Sequence, residues 1–390
     1  MDSSNKLFLL DAYALIYRAY YAFIKNPRIN SKGFNTSAIL GFVNTLEEVL
    51  KKENPTHIGV AFDPAGPTFR HEAFEQYKAQ REETPEAIRL SVPIIKDIIR
   101  AYRIPILEVA GYEADDVIGT LATEAGRQGI TTYMMTPDKD YGQLVSDKVF
   151  MYRPKHTGGF EVMGVEEVKA KFDIQSPAQV IDMLGLMGDS SDNIPGCPGV
   201  GEKTAQKLIS EFGSIENLLE HTDQLKGALK TKVETNREMI TFSKFLATIK
   251  IDVPIQLEMD SLVREEADED SLRSIFEELE FRTLIDRVLK KGVSGNGITS
   301  TPGSKVATGK SAPSPLPLFP EEGGGIQGNL FANFTPNEPD EAKKSNLETL
   351  ESQSRNYQLI DTEEKRREIV QKLLTSKILS LDTETTGTEP

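Results

Sequence analysis

The chain has 390 residues, 38% of them hydrophobic and 27% charged, with one cysteine, Cys197, and a formal net charge of −15. A single cysteine excludes an intrachain disulfide and fits a reducing compartment; the four histidines, His57, His71, His156 and His221, lack zinc-ligand spacing. Nothing approaches the roughly 18 unbroken apolar residues of a membrane span, and the opening MDSSNKLFLLDAYALIYRAYYAF has no signal-peptide layout, so a cytoplasmic protein without membrane contact is expected.

Taken in chain order, KLFLLDAY (6–13) predicts a strand that closes on Asp11, and TSAILGFVNTLEEVLKK (36–52) has helical periodicity. HIGVAFD (57–63) predicts a second strand closing on Asp63. A helix over ADDVIGTLATEAGRQG (114–129) leads to a third strand, ITTYMMTPD, followed by Asp138 and Asp140, and KVFMYRP (148–154) predicts a fourth. This alternation predicts an α/β fold, a mostly parallel sheet flanked by helices, with ligands at the carboxyl ends of its strands. The acidic run 258–280 reads as a solvent-facing face. From 292 the chain turns to Gly, Ser, Thr and Pro, a flexible linker that continues to about 345. YQLIDTEEKRREIVQKLLTSKILSLDTETTGTEP then reads strand, helix, strand, too short to bury a core alone.

Carboxylates gather along this pattern. Asp11, Asp63, Asp138 and Asp140 follow strands; Glu113, Asp115 and Asp116 in GYEADDVIG, and Asp189 and Asp192 in MGDSSDNIPG, stand at expected helix starts. Glu113 with Asp116, and Asp189 with Asp192, are spaced i, i+3 and share one face of a helical turn. One Asp before a helix is ordinarily an N-cap, and one after a strand a turn residue. Five such segments ending on one sheet edge are different, because like charges brought together repel unless cations lie between them. An all-oxygen donor set suits Mg²⁺ or Mn²⁺. Two such ions a few ångströms apart hydrolyse phosphodiesters.

The stretch GDSSDNIPGCPGVGEKTAQKLISEFGSIENLL (188–219) is not a P-loop, because Glu202 separates Gly201 from Lys203. It predicts a helix, a Pro/Gly turn and a second helix starting near Glu202. Gly199 and Gly201 would leave amides open at that start, and Lys203 and Lys207 would add charge on one face, a grip for a DNA backbone. An ordinary helix hairpin would use the same glycines only for its turn.

Asp11, Asp63, YEADD, TPDKD and GDSSDNIPGCPGVGEKTA together resemble the 5′ nuclease domains of bacterial family A DNA polymerases (the DNA polymerase I type), relatives of the flap endonucleases. The resemblance covers residues 1 to about 290 and implies a PIN-like core, a helix–three-turn–helix DNA clamp at 185–220 and a flexible helical arch. It implies that the nine acids named above bind metal. It also implies that Arg18, Arg70, Lys78 and Arg81 face the scissile phosphate, that Tyr77 stacks on a terminal base, and that Gly199, Gly201, Lys203, Thr204 and Lys207 contact DNA. A K⁺ ion at the hairpin is implied by relatives.

In the tail, ILSLDTETTG resembles the first motif of 3′→5′ proofreading exonucleases through Asp382 and Glu384, the truncated start (346–390) of such a domain after the linker 291–345. Within the linker, Gln327, Leu330 and Phe331 resemble a sliding-clamp motif; an apolar island docking on its own domain is the alternative. The expectation is a monomeric, divalent-metal-dependent 5′→3′ exonuclease and 5′-flap endonuclease acting on branched or nicked DNA and RNA primers in replication and repair. A non-catalytic DNA-structure-binding module and an RNA-directed nuclease of similar fold are the alternatives.

Overall fold

The computed structural model describes residues 5–155, 159–289 and 362–374. The linker residues Gln327, Leu330 and Phe331 and the pair Asp382 and Glu384 lie outside the described residues. The chain divides into two compact units, residues 1–333 and 334–390; in the second, the described element is a helix, Glu363–Leu374.

The first unit is built on a six-stranded sheet. β1 (Lys6–Asp11), β2 (His57–Ala61), β3 (Ile106–Leu107), β4 (Thr131–Met135), β5 (Val149–Pro154) and β6 (Phe160–Met163) run in the spatial order β3-β2-β1-β4-β5-β6. All neighbours pair in parallel except β5 with β6. The apolar runs of the sequence mark β1, β2, β4 and β5; β3 has only two residues and β6 is an antiparallel edge strand, so neither carries a long apolar run.

Leu7, Phe8, Leu9 and Leu10 of β1 are completely buried, because the central strand is covered on both faces. Alternation divides them: Leu7 and Leu9 enter one apolar cluster, Phe8 and Leu10 the other. The first face receives α5 (Ala114–Arg127), and the second receives α1 (Ala12–Ala22), α2 (Ser37–Lys52) and α4 (Glu86–Ala101), the last following the short α3 (Phe69–Ala73). Burying each of these leucines contributes about 1.5–3 kcal/mol, so the strand ends at Asp11 and Met135 are held firmly.

Beyond the sheet, α6 (Val165–Phe172) leads into α7 (Gln179–Met187), α8 (Glu202–Phe212), α9 (Ile215–Glu220), α10 (Gly227–Thr235) and α11 (Arg237–Ala247). Asp189 and Asp192 lie between α7 and α8 in a hydrogen-bonded turn closed by an Asp189–Ile194 bridge. This corrects the expected helix start: the i, i+3 spacing here belongs to a non-helical turn. No described helix is long and apolar enough to cross a membrane.

Candidate active site

The parallel sheet delivers the acids to one edge. In register, Asp11 lies beside Ala61 of β2, and Leu10 beside Met135 of β4, so Asp63 and Asp138 emerge on either side of Asp11. Asp11 caps α1 by accepting from the Ala14 amide at 3.1 Å, while its other oxygen accepts from Thr136 Oγ1 at 3.1 Å and Tyr141 Oη at 3.3 Å. Asp63 accepts from the Ala114 amide at 2.7 Å, which fastens the end of β2 to the start of α5. Asp138 caps the 3₁₀ turn Lys139–Leu144 through the Asp140 amide at 2.9 Å. Asp189 accepts from the Ser191 amide at 2.8 Å and pairs with Lys139 at 3.0 Å.

The cations differ from expectation in their placement. Arg70, expected to face the substrate, is 1% exposed. It makes a two-pronged pair with Asp116, both contacts 2.8 Å, reaches Glu113 at 3.2 Å, and donates to the carbonyls of Leu246 and Thr248 at 3.0 and 2.8 Å. A guanidinium with that many fixed acceptors is a fold element. Tyr77, expected to stack on a base, is also buried and donates its hydroxyl to Glu113 at 3.0 Å and Asp192 at 3.2 Å. Lys78 and Arg81 do reach the mouth: Lys78 Nζ lies 2.8 Å from Glu113 and 3.7 Å from Asp192, and Arg81 pairs with Asp192. Arg18 donates to the Lys155 carbonyl at 3.4 Å. Lys139 was not singled out as a site cation, although its place between Asp138 and Asp140 was the available signal.

The acids therefore fall into two electrostatic groups. Burial opposes ionisation of Glu113 and Asp192, but Lys78 with Arg70 at the first, and Lys78 with Arg81 at the second, outweigh it and hold both carboxyls below the usual range. In the other group burial wins. Asp11 is pushed up to about 7 by burial and then by Asp63. Asp63 is exposed at the surface, yet the protein crowded around it raises it by desolvation, with Glu113 adding to this against the pull of Lys78. Asp115 is raised well above the ordinary value by burial and Asp116, and Asp140 by burial, Asp138 and Asp189; Asp138, itself exposed, is raised by desolvation from the crowded protein around it and by Asp192 and Asp189.

Two buried carboxylate oxygens, Asp115 Oδ1 and Asp140 Oδ1, have no hydrogen-bond partner, and both belong to the raised group. Orphaned oxygens amid mutually repelling acids are the surroundings a hard divalent cation would relieve, so the donor chemistry fits such an ion. Among the described residues no three Asp, Glu, His or Cys side chains are grouped so as to hold one as they stand. The expected convergence of all nine acids is thus not assembled here, because Asp116, Glu113 and Asp192 are engaged by Arg70, Lys78 and Arg81.

The hairpin follows directly from the Asp189–Asp192 turn. Gly188 (φ +72°) and Gly196 (φ +62°) let the chain cross itself, since a Cβ at Gly188 would lie 2.4 Å from the Ile194 carbonyl oxygen and one at Gly196 2.3 Å from the Gly188 nitrogen. These two glycines, not singled out in the sequence, are needed sterically. Gly201 is the residue before α8 and faces open space, Lys203 and Lys207 project from the first two turns, and Thr204 is half-buried between them. Gly199, at φ +75°, receives Lys232 Nζ on its carbonyl at 3.3 Å.

Comparison with known proteins gives concordant matches. Residues 6–173 match the family model "5′-3′ exonuclease, N-terminal resolvase-like domain", and residues 175–270 match "5′-3′ exonuclease, C-terminal SAM fold". DNA polymerase I of Bacillus caldotenax is 42% identical over 287 residues, and that of Bacillus subtilis (strain 168) 43% identical over 291. These alignments cover 73% and 74% of the chain but 32% and 33% of the relatives, so the chain spans about a third of the length of the curated relatives it matches. Among solved structures, a T5 5′-exonuclease with bound zinc superimposes with TM-score 0.54 at 21% identity, covering 70% of this chain and 99% of that one. A T5 D15 flap endonuclease in a pseudo-enzyme–product complex with DNA and metal ions gives 0.51 at 22% identity, covering 71% and 100%. At those identities the structural likeness speaks for the fold.

Proposed function

The chain belongs to the 5′-3′ exonuclease family, and from that premise we propose that it is a structure-selective 5′ nuclease that hydrolyses phosphodiester bonds at flaps and nicks in duplex DNA, including RNA primers. The observation that carries the reading is the division of the acid edge: Asp11, Asp63, Asp115, Asp138 and Asp140 are raised and under-compensated, while Lys78 and Arg81 stand at the same mouth.

The raised acids would hold a pair of divalent ions, Mg²⁺ or Mn²⁺, which supply a water nucleophile at neutral pH and a counter-charge for the leaving oxygen. The chain's own residues do the rest. Lys78 and Arg81 exchange their carboxylate partners for the scissile phosphate and hold it against the acid edge. Tyr77 and Glu113 keep Lys78 in reach. The α7–α8 hairpin grips the duplex backbone through open amides and Lys203 and Lys207, without reading bases. Drawing the terminal nucleotides out of the stack costs a few kcal/mol, least where they are unpaired, which selects for flaps. The proposal extends to cytoplasmic action of a monomer, with K⁺ at the hairpin turn.

The test is cleavage of an end-labelled 5′-flap duplex with Mg²⁺ or EDTA, by wild type and Asp140→Asn. Short Mg²⁺-dependent 5′ products, with a rate at least about 100-fold lower in the variant, are expected, the loss of one preorganised charge-stabilising group. Asp140 is preferable to Asp116, whose removal would strand the buried Arg70. Flap DNA bound by wild type yet never cut with Mg²⁺ or Mn²⁺ would leave a binding module in place of the enzyme.

A further inference from the structure

Two turns meet at the mouth of the site, one bearing its cations and the other two of its acids. The turn 76–81, between α3 and α4, carries Tyr77, Lys78 and Arg81; the turn 189–193, between α7 and α8, carries Asp189 and Asp192. Besides the contacts of Tyr77, Lys78 and Arg81 with the Asp192 carboxylate, the two are stitched along their length by contacts in which no carboxylate takes part. The Lys78 amide donates to the Asp192 carbonyl at 3.1 Å. Asn193 Nδ2 donates to the Gln76 carbonyl at 2.7 Å, Gln80 Nε2 to the Ser190 carbonyl at 2.6 Å, and Arg81 Nε to the Ser191 carbonyl at 3.2 Å.

The backbone on both sides is unusual. Lys78 and Asn193 each have φ +57°, the left-handed region that non-glycine residues seldom adopt. Asn tolerates that conformation better than most residues, whereas Lys does not. Such local strain persists only where the surroundings over-determine it. Around Lys78 those surroundings are its own amide bond to the Asp192 carbonyl, its ion pairs with Glu113 and Asp192, the Arg81 contact, and the side-chain bonds of Asn193 and Gln80 that join the two turns on either side of it.

We propose that Asn193 and Gln80 are positioning residues that fasten the cation-bearing turn to the entrance of the DNA-gripping hairpin, so that Lys78 and Arg81 are held at fixed reach from the acid edge. Neither side chain touches the acids themselves; each acts by fixing the backbone from which Lys78 and Arg81 project. Duplex held by the hairpin and phosphate held by the two cations are thereby kept in one frame. The inference rests on the nuclease reading for its kinetic consequence, and on geometry alone for its structural one.

The experiment uses the full chain with Asn193→Gly, which keeps the left-handed backbone accessible and removes only the amide side chain, and Gln80→Ala, at an exposed position. Flap cleavage and amide exchange at Lys78 are measured for both. For each variant kcat is expected to fall roughly 10- to 100-fold, the effect of a misplacement of about 1 Å, with KM for flap DNA within about twofold of wild type. The Lys78 amide should exchange faster in both variants without metal or DNA. On a Lys78→Met background each change should cost clearly less than on wild type, only the share acting through Arg81 remaining, because residues acting through a shared partner are not additive. Unchanged kcat, or full additivity with Lys78→Met, would overturn the proposal. Should the wild type cleave nothing, the nuclease reading falls by itself, and exchange at Lys78 still decides: faster in the variants sustains the positioning role, unchanged ends it.

Discussion

Asp115 and Asp116 are neighbours in the first turn of α5, yet they meet opposite surroundings. Asp116 has both oxygens occupied, by Arg70 in two prongs at 2.8 Å, by the Glu113 amide at 3.1 Å and by the Lys250 amide at 2.8 Å. Asp115 has Arg70 no nearer than 3.9 Å, and its Oδ1 is buried with no hydrogen-bond partner. An electrostatic contrast runs through the rest of the site: Glu113 and Asp192 are held low by nearby cations, whereas Asp11, Asp63, Asp138 and Asp140 are raised, Asp140 with an orphaned oxygen and Asp11 with both oxygens hydrogen-bonded only by neutral groups. A carboxylate paired with a buried cation holds the fold together. One left raised without a paired cation is held there by the fold against its own electrostatics, the setting in which functional groups cluster.

The sharpest way to break that comparison is to remove the cation on the compensated side. Arg70→Met leaves Asp116 buried without its counter-charge, and breaking a buried pair by deleting one partner costs about 3–5 kcal/mol. Denaturant unfolding should show a loss of that size, read as a lower midpoint. Asp115→Asn should leave stability unchanged or raise it, since burial and Asp116 already oppose ionisation of Asp115 and its Oδ1 has no hydrogen bond to lose. Equal destabilisation by the two variants would erase the distinction between the groups.

Much of this was legible in the sequence. The unbroken apolar run Leu7–Leu10 identified the central strand, and a strand-end Asp on each of three adjacent parallel strands identified the edge. The spacing of Glu113 and Asp116 correctly placed them in one helical turn, where Asp116 accepts from the Glu113 amide. The role of Arg70 was not legible. FRHEAFEQYKAQR looks like a polar surface segment, and the acceptors that bury Arg70 include the Leu246 and Thr248 carbonyls, 176 and 178 residues away. Nothing local records a partnership of that range. Which acids would be compensated was hidden for the same reason, because it depends on where three distant cations arrive.

The two groups should also respond to pH with opposite sign. Asp11 titrates near 7 in the folded chain against roughly 3.9 unfolded; its stabilising contribution is complete below pH about 4 and is lost as pH rises through 7. Glu113 and Asp192 are held low, so their contribution is present above the ordinary carboxylate range and is lost as pH falls through their folded values. In EDTA, thermal stability should therefore decline on both sides of an optimum in the mildly acidic range. Mg²⁺ should restore the neutral side and leave the acid side alone, because a ligand that binds only the folded state stabilises it by mass action. Asp11→Asn should flatten the neutral limb alone. A Mg²⁺ effect of equal size at pH 5 and pH 8 would mean the ion binds elsewhere.

The smallest effect distinguishes a half-buried, paired cation from exposed ones. Lys78 is enclosed by Glu113, Asp192 and the Tyr77 ring, 4.8 Å from Nζ to the ring centre, whereas Lys203 and Lys207 project into solvent from the start of α8. An exposed lysine that neutralises one phosphate displaces one condensed counter-ion, so it adds about 0.9 to the slope of log affinity against log salt. Lys203→Ala should lower that slope by about one for flap duplex binding, with kcat at saturating DNA nearly unchanged. Lys78→Met should do the reverse, lowering kcat with little change in slope, since its charge is already neutralised within the protein before DNA arrives. If Lys78→Met lowers the slope as much as Lys203→Ala does, Lys78 meets phosphate during duplex binding itself, and the boundary between grip and chemistry moves from the hairpin into the cation turn.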